Sequence, residues 1–296
     1  MTDDGFSSHY VTASDGLRLH VREYGDRSFP LVPVVCLPGL TRTAADFHPL
    51  ACAMAHDPVR PHRVLAVDYR GRGLSGYDPD PARYTIPIEL GDLLTALDAL
   101  AVGPAVMVGT SRGGLITMVL ATMRPDAIAG AVLNDIGPVV ETAGLMRIKS
   151  YVGRAAMPKD FCAGAAALKA QFGDQFPDLS DEDWLAFAHR SWRVENGALV
   201  PTYDQALART LDTFDPTHPM PTLWDGFDAL AAVPVMVIRG GMSDILSAAT
   251  VAAMKARRQD LAVLEVPRQG HAPMLAEDDV IEKIAAFVAR CNARTG

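Results

Sequence analysis

Ser111 lies in the run G-T-S-R-G-G at 109–114, between a short apolar segment and a helical pattern. A serine with glycines two residues away on either side, at a sharp turn from strand to helix, is the sequence form of a nucleophile elbow. The serine backbone is strained in such a turn, and side chains at 109 and 113 would collide with the adjoining strand and helix. The first N–H groups of the following helix favour an oxyanion. The pattern therefore predicts a hydroxyl that attacks a carbonyl carbon.

A serine hydroxyl needs a base, and the base needs a carboxylate that orients it. His271, in R-Q-G-H-A-P at 268–273, and Asp244, in R-G-G-M-S-D at 239–244, both follow apolar segments that read as strands. Open parallel sheets place their active sites at these strand ends. We therefore predict Ser111 as nucleophile, His271 as base and Asp244 as the acid. Asp135 follows another strand and is an alternative acid; otherwise it holds the loop at its strand end or the entrance to the inserted segment that follows it.

The elements that must position these side chains alternate along most of the chain. Short apolar segments that read as strands alternate with segments whose apolar residues have helical spacing. This alternation predicts an α/β fold with a mostly parallel sheet and helices on both faces. The predicted strands are 9–12, 17–24, 32–37, 63–67, 105–108, 128–133, 235–238 and 262–266.

The alternation fails between the predicted strands at 128–133 and 235–238. This stretch is helical and aromatic in patches and is interrupted by several prolines. We therefore predict a helical cap at 138–228, inserted into an α/β core that is formed by 1–137 and 229–296.

Composition excludes several classes of function. The chain has 296 residues with 27 Lys and Arg against 35 Asp and Glu, so its formal net charge is −8, and no basic block is present. Nucleic acid is therefore an unexpected partner. The amino-terminal sequence lacks the basic and apolar regions of a secretory signal, and no apolar segment is long enough to span a membrane, so we expect a cytoplasmic protein. The four cysteines form no C-x-x-C pair, and we expect buried free thiols and no metal site.

Four motifs together resemble the α/β-hydrolase fold family, especially its capped small-molecule hydrolases. They are L-P-G-L at 37–40, D-Y-R-G-R-G-L-S at 68–75, the elbow at 109–114 and the Gly-His pair at 270–271. The order Ser, Asp, His along the chain also matches that family. The resemblance implies eight strands, a cap after the sixth strand, no cofactor, and a structural role for Asp68 and Arg70.

The same resemblance places an oxyanion hole at the backbone N–H groups of Leu40 and Arg112. Many relatives have His-Gly where this chain has Pro38-Gly39. Because the donor is a backbone group, we expect the hole to be retained.

The reaction expected from these residues is hydrolysis of a small-molecule carboxylic ester or lactone through an acyl-enzyme. Serine at the elbow argues against the dehalogenase and epoxide hydrolase branches of the family, in which the residue at this position is aspartate. Hydrolysis of carbon–carbon bonds in vinylogous diketones, cofactor-free perhydrolysis and a non-catalytic ligand receptor remain alternatives. The Arg112 side chain has two interpretations: it contacts a substrate carboxylate, or it forms a salt bridge with an acidic neighbour. The sequence gives no indication of the oligomeric state.

Overall fold

The computed structural model describes residues 5–154, 157–218 and 220–292. Residues 1–4, part of the segment that was read for a secretory signal, lie outside the described residues. Within the described ranges, no helix combines the length and the apolar character that a membrane span requires.

Eight strands form one sheet in the order β1-β2-β4-β3-β5-β6-β9-β10. They are β1 (Ser7–Thr12), β2 (Arg18–Tyr24), β3 (Val34–Leu37), β4 (Val64–Asp68), β5 (Ala105–Thr110), β6 (Ile128–Asn134), β9 (Val235–Gly240) and β10 (Ala262–Val266), with β7 and β8 described below. The first two strands pair antiparallel, as do β2 and β4, and the six strands from β4 to β10 are parallel. The eight predicted strands are confirmed, with ends that differ by a few residues.

Helices cover both faces of the sheet. In the core they are α1 (His48–Ala55), α2 (Ile86–Ala99), α3 (Arg112–Met123), α8 (Ala248–Arg257) and α9 (Asp278–Asn292). Alternate residues of β3 separate the two faces: Val35 packs with the cluster that contains α2, α3 and α8, whereas Val34 packs with the cluster that contains α1 and α9. Burial on both faces explains why the central strands are continuous apolar runs in the sequence.

The segment at 138–228, called the insert below, lies between β6 and β9. It contains α4 (Thr142–Tyr151), α5 (Phe161–Phe172), α6 (Asp181–Ser191), β7 (Trp192–Glu195), β8 (Ala198–Pro201), a 3-10 helix (Gln205–Leu211) and the short α7 (Trp224–Asp228). The antiparallel pair β7–β8 corrects the expectation of an all-helical segment. Asn196 and Gly197 join these strands with φ values of 51° and 80°, and Asn-Gly is a strong signal for such a tight hairpin turn.

The insert has a small core of its own. Trp184 and Phe187 on α6 pack with Leu168 on α5 and Leu199 on β8. The last helix, α7, instead packs against α3, and Phe227 belongs to the cluster on that face of the sheet. The division of the chain into domains at 138 and 228 stays a prediction.

Candidate active site

Ser111 occupies the turn between β5 and α3 in a strained backbone conformation. Its φ of 51° and ψ of −113° lie outside the regions that side-chain-bearing residues ordinarily adopt. The Ser111 N–H donates to the carbonyl oxygen of Asn134 on β6 at 2.9 Å. This hydrogen bond ties the turn to the neighbouring strand and holds the strained residue in place.

The glycines around Ser111 are required by close backbone approach. A Cβ atom on Gly109 would lie 2.5 Å from the carbonyl carbon of Gly113, and one on Gly113 would lie 2.1 Å from the carbonyl oxygen of Leu37. Both distances are far below van der Waals contact. The predicted collision of side chains at 109 and 113 with the surrounding backbone is confirmed.

His271 lies in the loop after β10 and faces the hydroxyl of Ser111. Its Nε2 atom is 2.8 Å from Oγ of Ser111. The buried Asn134 side chain holds this loop in place, because its Nδ2 donates to the carbonyl oxygen of Pro273 at 2.9 Å and to Oγ1 of Thr110 at 3.0 Å. The structure thus brings the predicted nucleophile and the predicted base together.

Asp135, the first residue after β6, contacts the other ring nitrogen. Nδ1 of His271 lies 2.8 Å from Oδ2 of Asp135. Oδ1 of the fully buried carboxylate accepts the Gly240 N–H at 2.7 Å, and Oδ2 accepts the Ser243 hydroxyl at 2.6 Å. Three donors therefore fix this carboxylate, and a chain of hydrogen bonds runs from Asp135 through the imidazole to Ser111.

The expectation that Asp244 orients the imidazole is corrected by this geometry. The Asp244 carboxylate instead accepts two hydrogen bonds from Arg147 on α4, from Nε at 2.6 Å and from Nη2 at 2.8 Å. Burial raises the pKa of Asp244, but the hydrogen bonds and charge of Arg147 outweigh it and hold the pKa below its usual value. The alternative acid, Asp135, occupies the place next to His271, and Asp244 joins the core to the insert.

The two residues expected to supply oxyanion donors are linked through a buried carboxylate. Arg72 donates from Nε to the carbonyl oxygen of Leu40 at 2.8 Å and from Nη1 to Oε1 of Glu89 at 2.7 Å. Oε2 of the same Glu89 accepts from Nε of Arg112 at 2.5 Å. Burial opposes the charge of Glu89, yet the two arginines hold the pKa of the carboxyl below its usual value. Glu89 therefore ties the Leu40 loop to the start of α3.

The same contacts settle the orientation of the Arg112 side chain. Besides the ion pair with Glu89, its Nη2 donates to the carbonyl oxygen of Tyr84 at 3.0 Å. Of the two interpretations from the sequence, the salt bridge with an acidic neighbour is confirmed. The guanidinium is not among the groups that line the cavity at Ser111, so the suggested contact with a substrate carboxylate is corrected.

The glycine-rich segment at 68–75 holds loops behind the site. Oδ1 of Asp68 accepts the Ala44 N–H at 2.7 Å, and its Oδ2 lies 2.7 Å from Nδ1 of the buried His20. Arg70 pairs through Nε with Oδ2 of Asp92 at 2.6 Å. These contacts agree with the structural role that was expected for Asp68 and Arg70.

A cavity of about 210 Å³ opens above Ser111 and His271, between the core and the insert. Its wall is largely apolar and aromatic, including Tyr151, Phe172, Phe176, Phe187, Trp192 and Leu275. Four charged residues also line it: Arg42, Asp46, Arg154 and Arg190. The sequence analysis did not predict a role for these four residues. Arg42 comes two residues after the L-P-G-L motif, and this position could have indicated that it lies near the site.

The arrangement of possible metal ligands and of the cysteines completes the description of the site. Among the described residues, no group of three or more His, Cys, Asp or Glu side chains is arranged to hold a metal ion. None of the four cysteines forms a disulfide; Cys36 and Cys291 are buried, whereas Cys162 is exposed. The expectation of buried thiols is therefore wrong for Cys162, which lies in the first turn of α5.

Comparison with known proteins agrees with this geometry. The chain is 34% identical over 278 residues to the 3-hydroxybutyrate-oligomer hydrolase of Cupriavidus necator, covering 88% of this chain and 89% of that protein. It is 27% identical over 274 residues to the 2-(acetamidomethylene)succinate hydrolase of Mesorhizobium japonicum, covering 92% of each. The crystal structure of an alpha/beta hydrolase from Novosphingobium aromaticivorans superposes with a TM-score of 0.89 at 43% identity, covering 97% of this chain and 99% of that one.

A family model covers most of the described core as well. The model described as the alpha/beta hydrolase family matches residues 34–283, a range that contains β3 to β10, the elbow, Asp135 and His271. Because this match spans far more than half of the sequence, the chain belongs to the alpha/beta hydrolase family.

Proposed function

We propose that this protein is a serine hydrolase that cleaves small carboxylic esters through an acyl-enzyme on Ser111. The observation that carries the proposal is the unbroken chain of hydrogen bonds from Asp135 through His271 to Ser111, with 2.8 Å at each end of the imidazole. This chain also speaks against a non-catalytic ligand receptor, because a binding protein has no need of a strained serine aligned with a base.

In the first half of the reaction, Oγ of Ser111 attacks the ester carbonyl carbon while Nε2 of His271 takes the hydroxyl proton. Asp135 holds the proton on Nδ1, so that Nε2 is free to accept, and it stabilises the imidazolium that forms. The negative carbonyl oxygen of the tetrahedral intermediate takes hydrogen bonds from the N–H groups of Leu40 and Arg112. The C–O bond then breaks, and His271 returns its proton to the departing alkoxide.

In the second half, water attacks the acyl-enzyme with His271 again as base. The tetrahedral intermediate collapses, the bond to Oγ breaks, and the proton on Nε2 returns to Ser111 as the carboxylic acid leaves. No step requires a cofactor or a metal ion.

The substrate class we favour is a short aliphatic ester of a hydroxy acid. The support is the relative named as a 3-hydroxybutyrate-oligomer hydrolase, which matches over nearly its whole length. The modest cavity suits a small molecule. Lactones, vinylogous diketones and perhydrolysis would use the same relay, so a substrate panel is needed to separate them from esters.

The test is labelling with a fluorophosphonate probe, which reacts with activated serine hydroxyls. Labelling is expected in the wild type, absent in Ser111→Ala and retained in the control Ser28→Ala, since Ser28 is exposed and hydrogen-bonds to Asp26 in its own turn. The wild type and Ser28→Ala should also hydrolyse 4-nitrophenyl butyrate, whereas Ser111→Ala should not. A wild type that is neither labelled nor active on any ester would overturn the proposal.

A further inference from the structure

The charge of the cavity is opposite to the charge of the whole protein. Three of the four charged residues on its wall are arginines, Arg42, Arg154 and Arg190, and Asp46 is the single acidic residue among the described residues that line it. The complete chain, by contrast, carries a formal net charge of −8. A positive wall in an acidic protein concentrates field on the cavity and favours an anionic ligand there.

Arg42 and Arg190 converge on one carboxylate. Nη2 of Arg42 donates to Oδ1 of Asp46, and Nε of Arg190 lies 3.3 Å from the same oxygen. The other oxygen, Oδ2, accepts the Thr43 N–H at 3.0 Å. One carboxylate therefore faces two guanidinium groups, and a net positive charge remains at this point of the wall.

The charge of Arg190 is only partly compensated. Burial, and to a lesser extent the like charge of Arg42, lowers the pKa of Arg190, and Asp46 offsets this lowering only in part. The Nε atom of Arg190 is buried and, although it lies 3.3 Å from Oδ1 of Asp46, it makes no hydrogen bond within the described residues. A bound anion would supply an acceptor for this guanidinium.

The two guanidinium groups are held in place by an aromatic ring. The Cζ atom of Arg42 lies 4.3 Å from the ring centroid of Phe187, and that of Arg190 lies 5.9 Å from it. Stacking on a ring fixes the plane of a guanidinium and reduces the side-chain entropy that binding would otherwise remove. The pair is therefore preorganised for a planar anion such as a carboxylate.

The aliphatic stem of Arg42 lies close to the nucleophile. The point at which a Cβ atom would stand on Gly39 is 3.4 Å from Cγ of Arg42 and 3.7 Å from Cβ of Ser111. The stem of Arg42 thus starts within a short side chain's length of the serine, and its guanidinium extends along the cavity wall. Because Arg42 and Ser111 line the same cavity, an ester bound at Ser111 shares that cavity with this arginine.

From these contacts we propose that Arg42 and Arg190 form a carboxylate-binding subsite, and that the substrates are short esters carrying a free carboxylate near the ester bond. The proposal rests on the proposed function and narrows its substrate class. The subsite is built from both parts of the chain: Arg42 comes from the loop after β3, whereas Arg190 lies in the last turn of α6 in the insert.

The test compares each carboxylated ester with its neutral counterpart. One pair is the linear dimer of 3-hydroxybutyrate and its methyl ester, with the charge on the alcohol side of the bond between the two units. The other pair is 4-nitrophenyl hydrogen succinate and 4-nitrophenyl methyl succinate, with the charge on the acyl side. In the wild type kcat/KM should favour the anionic member of at least one pair by about 10-fold to 100-fold, the range expected for charge-assisted hydrogen bonds.

Substitution should then remove this preference. In Arg42→Gln and Arg190→Gln the ratio of kcat/KM for the anionic and neutral members should fall about 10-fold, whereas Arg190→Lys should keep part of it. The control Arg124→Gln removes the same charge from an exposed arginine that pairs with the exposed Asp126, and its ratio should equal that of the wild type. A purely structural ion pair with Asp46 would change both members of a pair alike and leave the ratio unchanged.

A measurement on the wild type alone guards against variants that fold poorly. The 3-hydroxybutyrate anion should protect Ser111 from the fluorophosphonate probe at a concentration at least about 10-fold lower than the neutral 3-hydroxybutyramide. If Ser111 is labelled and neutral esters are hydrolysed, but neither ester pair nor the protection assay shows a preference for the anion, this inference fails and the proposed function stands. If Ser111 is not labelled and no ester is hydrolysed, both are overturned.

Discussion

Replacing Asp135 by asparagine tests the proposed proton relay at its most specific point. The carboxylate accepts the Gly240 N–H on one oxygen, and on the other it meets Nδ1 of His271 and the Ser243 hydroxyl. If the amide oxygen of Asp135→Asn keeps the Gly240 N–H, its NH₂ group faces the imidazole. An NH₂ group only donates, so Nδ1 must accept and the ring proton moves to Nε2. Nε2 can then no longer take the proton of Ser111.

The magnitude follows from this change of tautomer. A wrong tautomer in a Ser-His-Asp triad costs about 10⁴-fold in kcat, or about 5.5 kcal/mol of transition-state stabilisation. Asp244→Asn is the matched comparison, because it removes the same charge from a second carboxylate that follows a strand. Its side chain and that of Arg147 are 28% and 26% exposed, so the lost ion pair costs only about 1 kcal/mol, and kcat should stay within about 10-fold of the wild type.

The assay is the initial rate of 4-nitrophenyl butyrate hydrolysis, together with the rate at which the fluorophosphonate probe labels Ser111. Circular dichroism melting curves should confirm that both variants are folded. Asp135→Asn should slow both reactions far more than Asp244→Asn does. If instead Asp244→Asn costs as much activity as Asp135→Asn, or more, the assignment of the acid to Asp135 is refuted.

Two further substitutions test how the site is held. Glu89→Gln removes the buried charge between Arg72 and Arg112, and it should lower the free energy of unfolding by about 3 to 5 kcal/mol in urea titrations. In the control Glu195→Gln, which changes an exposed glutamate, the free energy of unfolding should stay within about 1 kcal/mol of the wild type. Equal effects of the two substitutions would contradict the bridging role of Glu89. Gly113→Ala places a Cβ atom against the Leu37 carbonyl and should cost about 1 to 3 kcal/mol or more. The control Gly91→Ala, in α2 with open space around it, should instead stabilise the protein by up to about 1 kcal/mol. A Gly113→Ala protein as stable as the wild type would disprove the close approach of the Gly113 and Leu37 backbones.

The strands and the elbow could be predicted from the sequence because their signals are local. A central strand buried on both faces is a short apolar run between turn residues, and Gly109 and Gly113 mark the turn around Ser111 within five residues. The hairpin β7–β8 had an equally local signal in Asn196-Gly197. Alone it does not establish the strands, because each has only four residues and the second, A-L-V-P, has no alternation of apolar and polar side chains.

The choice between Asp135 and Asp244 depended on contacts that no local pattern reveals. Both residues follow a parallel strand, and the loops of such strands meet at one edge of the sheet. Asp244 turns to Arg147, which lies on a helix of the insert whose packing against the core is a tertiary property. The orientation of Arg112 was hidden for the same reason, because its partner Glu89 is a fully buried acid on α2.

The hydrogen bonds that hold the three relay residues in place are made among strand ends and the loops beside them. Ser111 is tied to Asn134, the His271 loop is tied to the same asparagine through Pro273, and Asp135 is tied to Gly240. These partners all lie outside 138–228. The relay is therefore anchored without a partner from the insert among these hydrogen bonds, and we expect replacements confined to the insert to change which esters react more than they change the alignment of Ser111, His271 and Asp135.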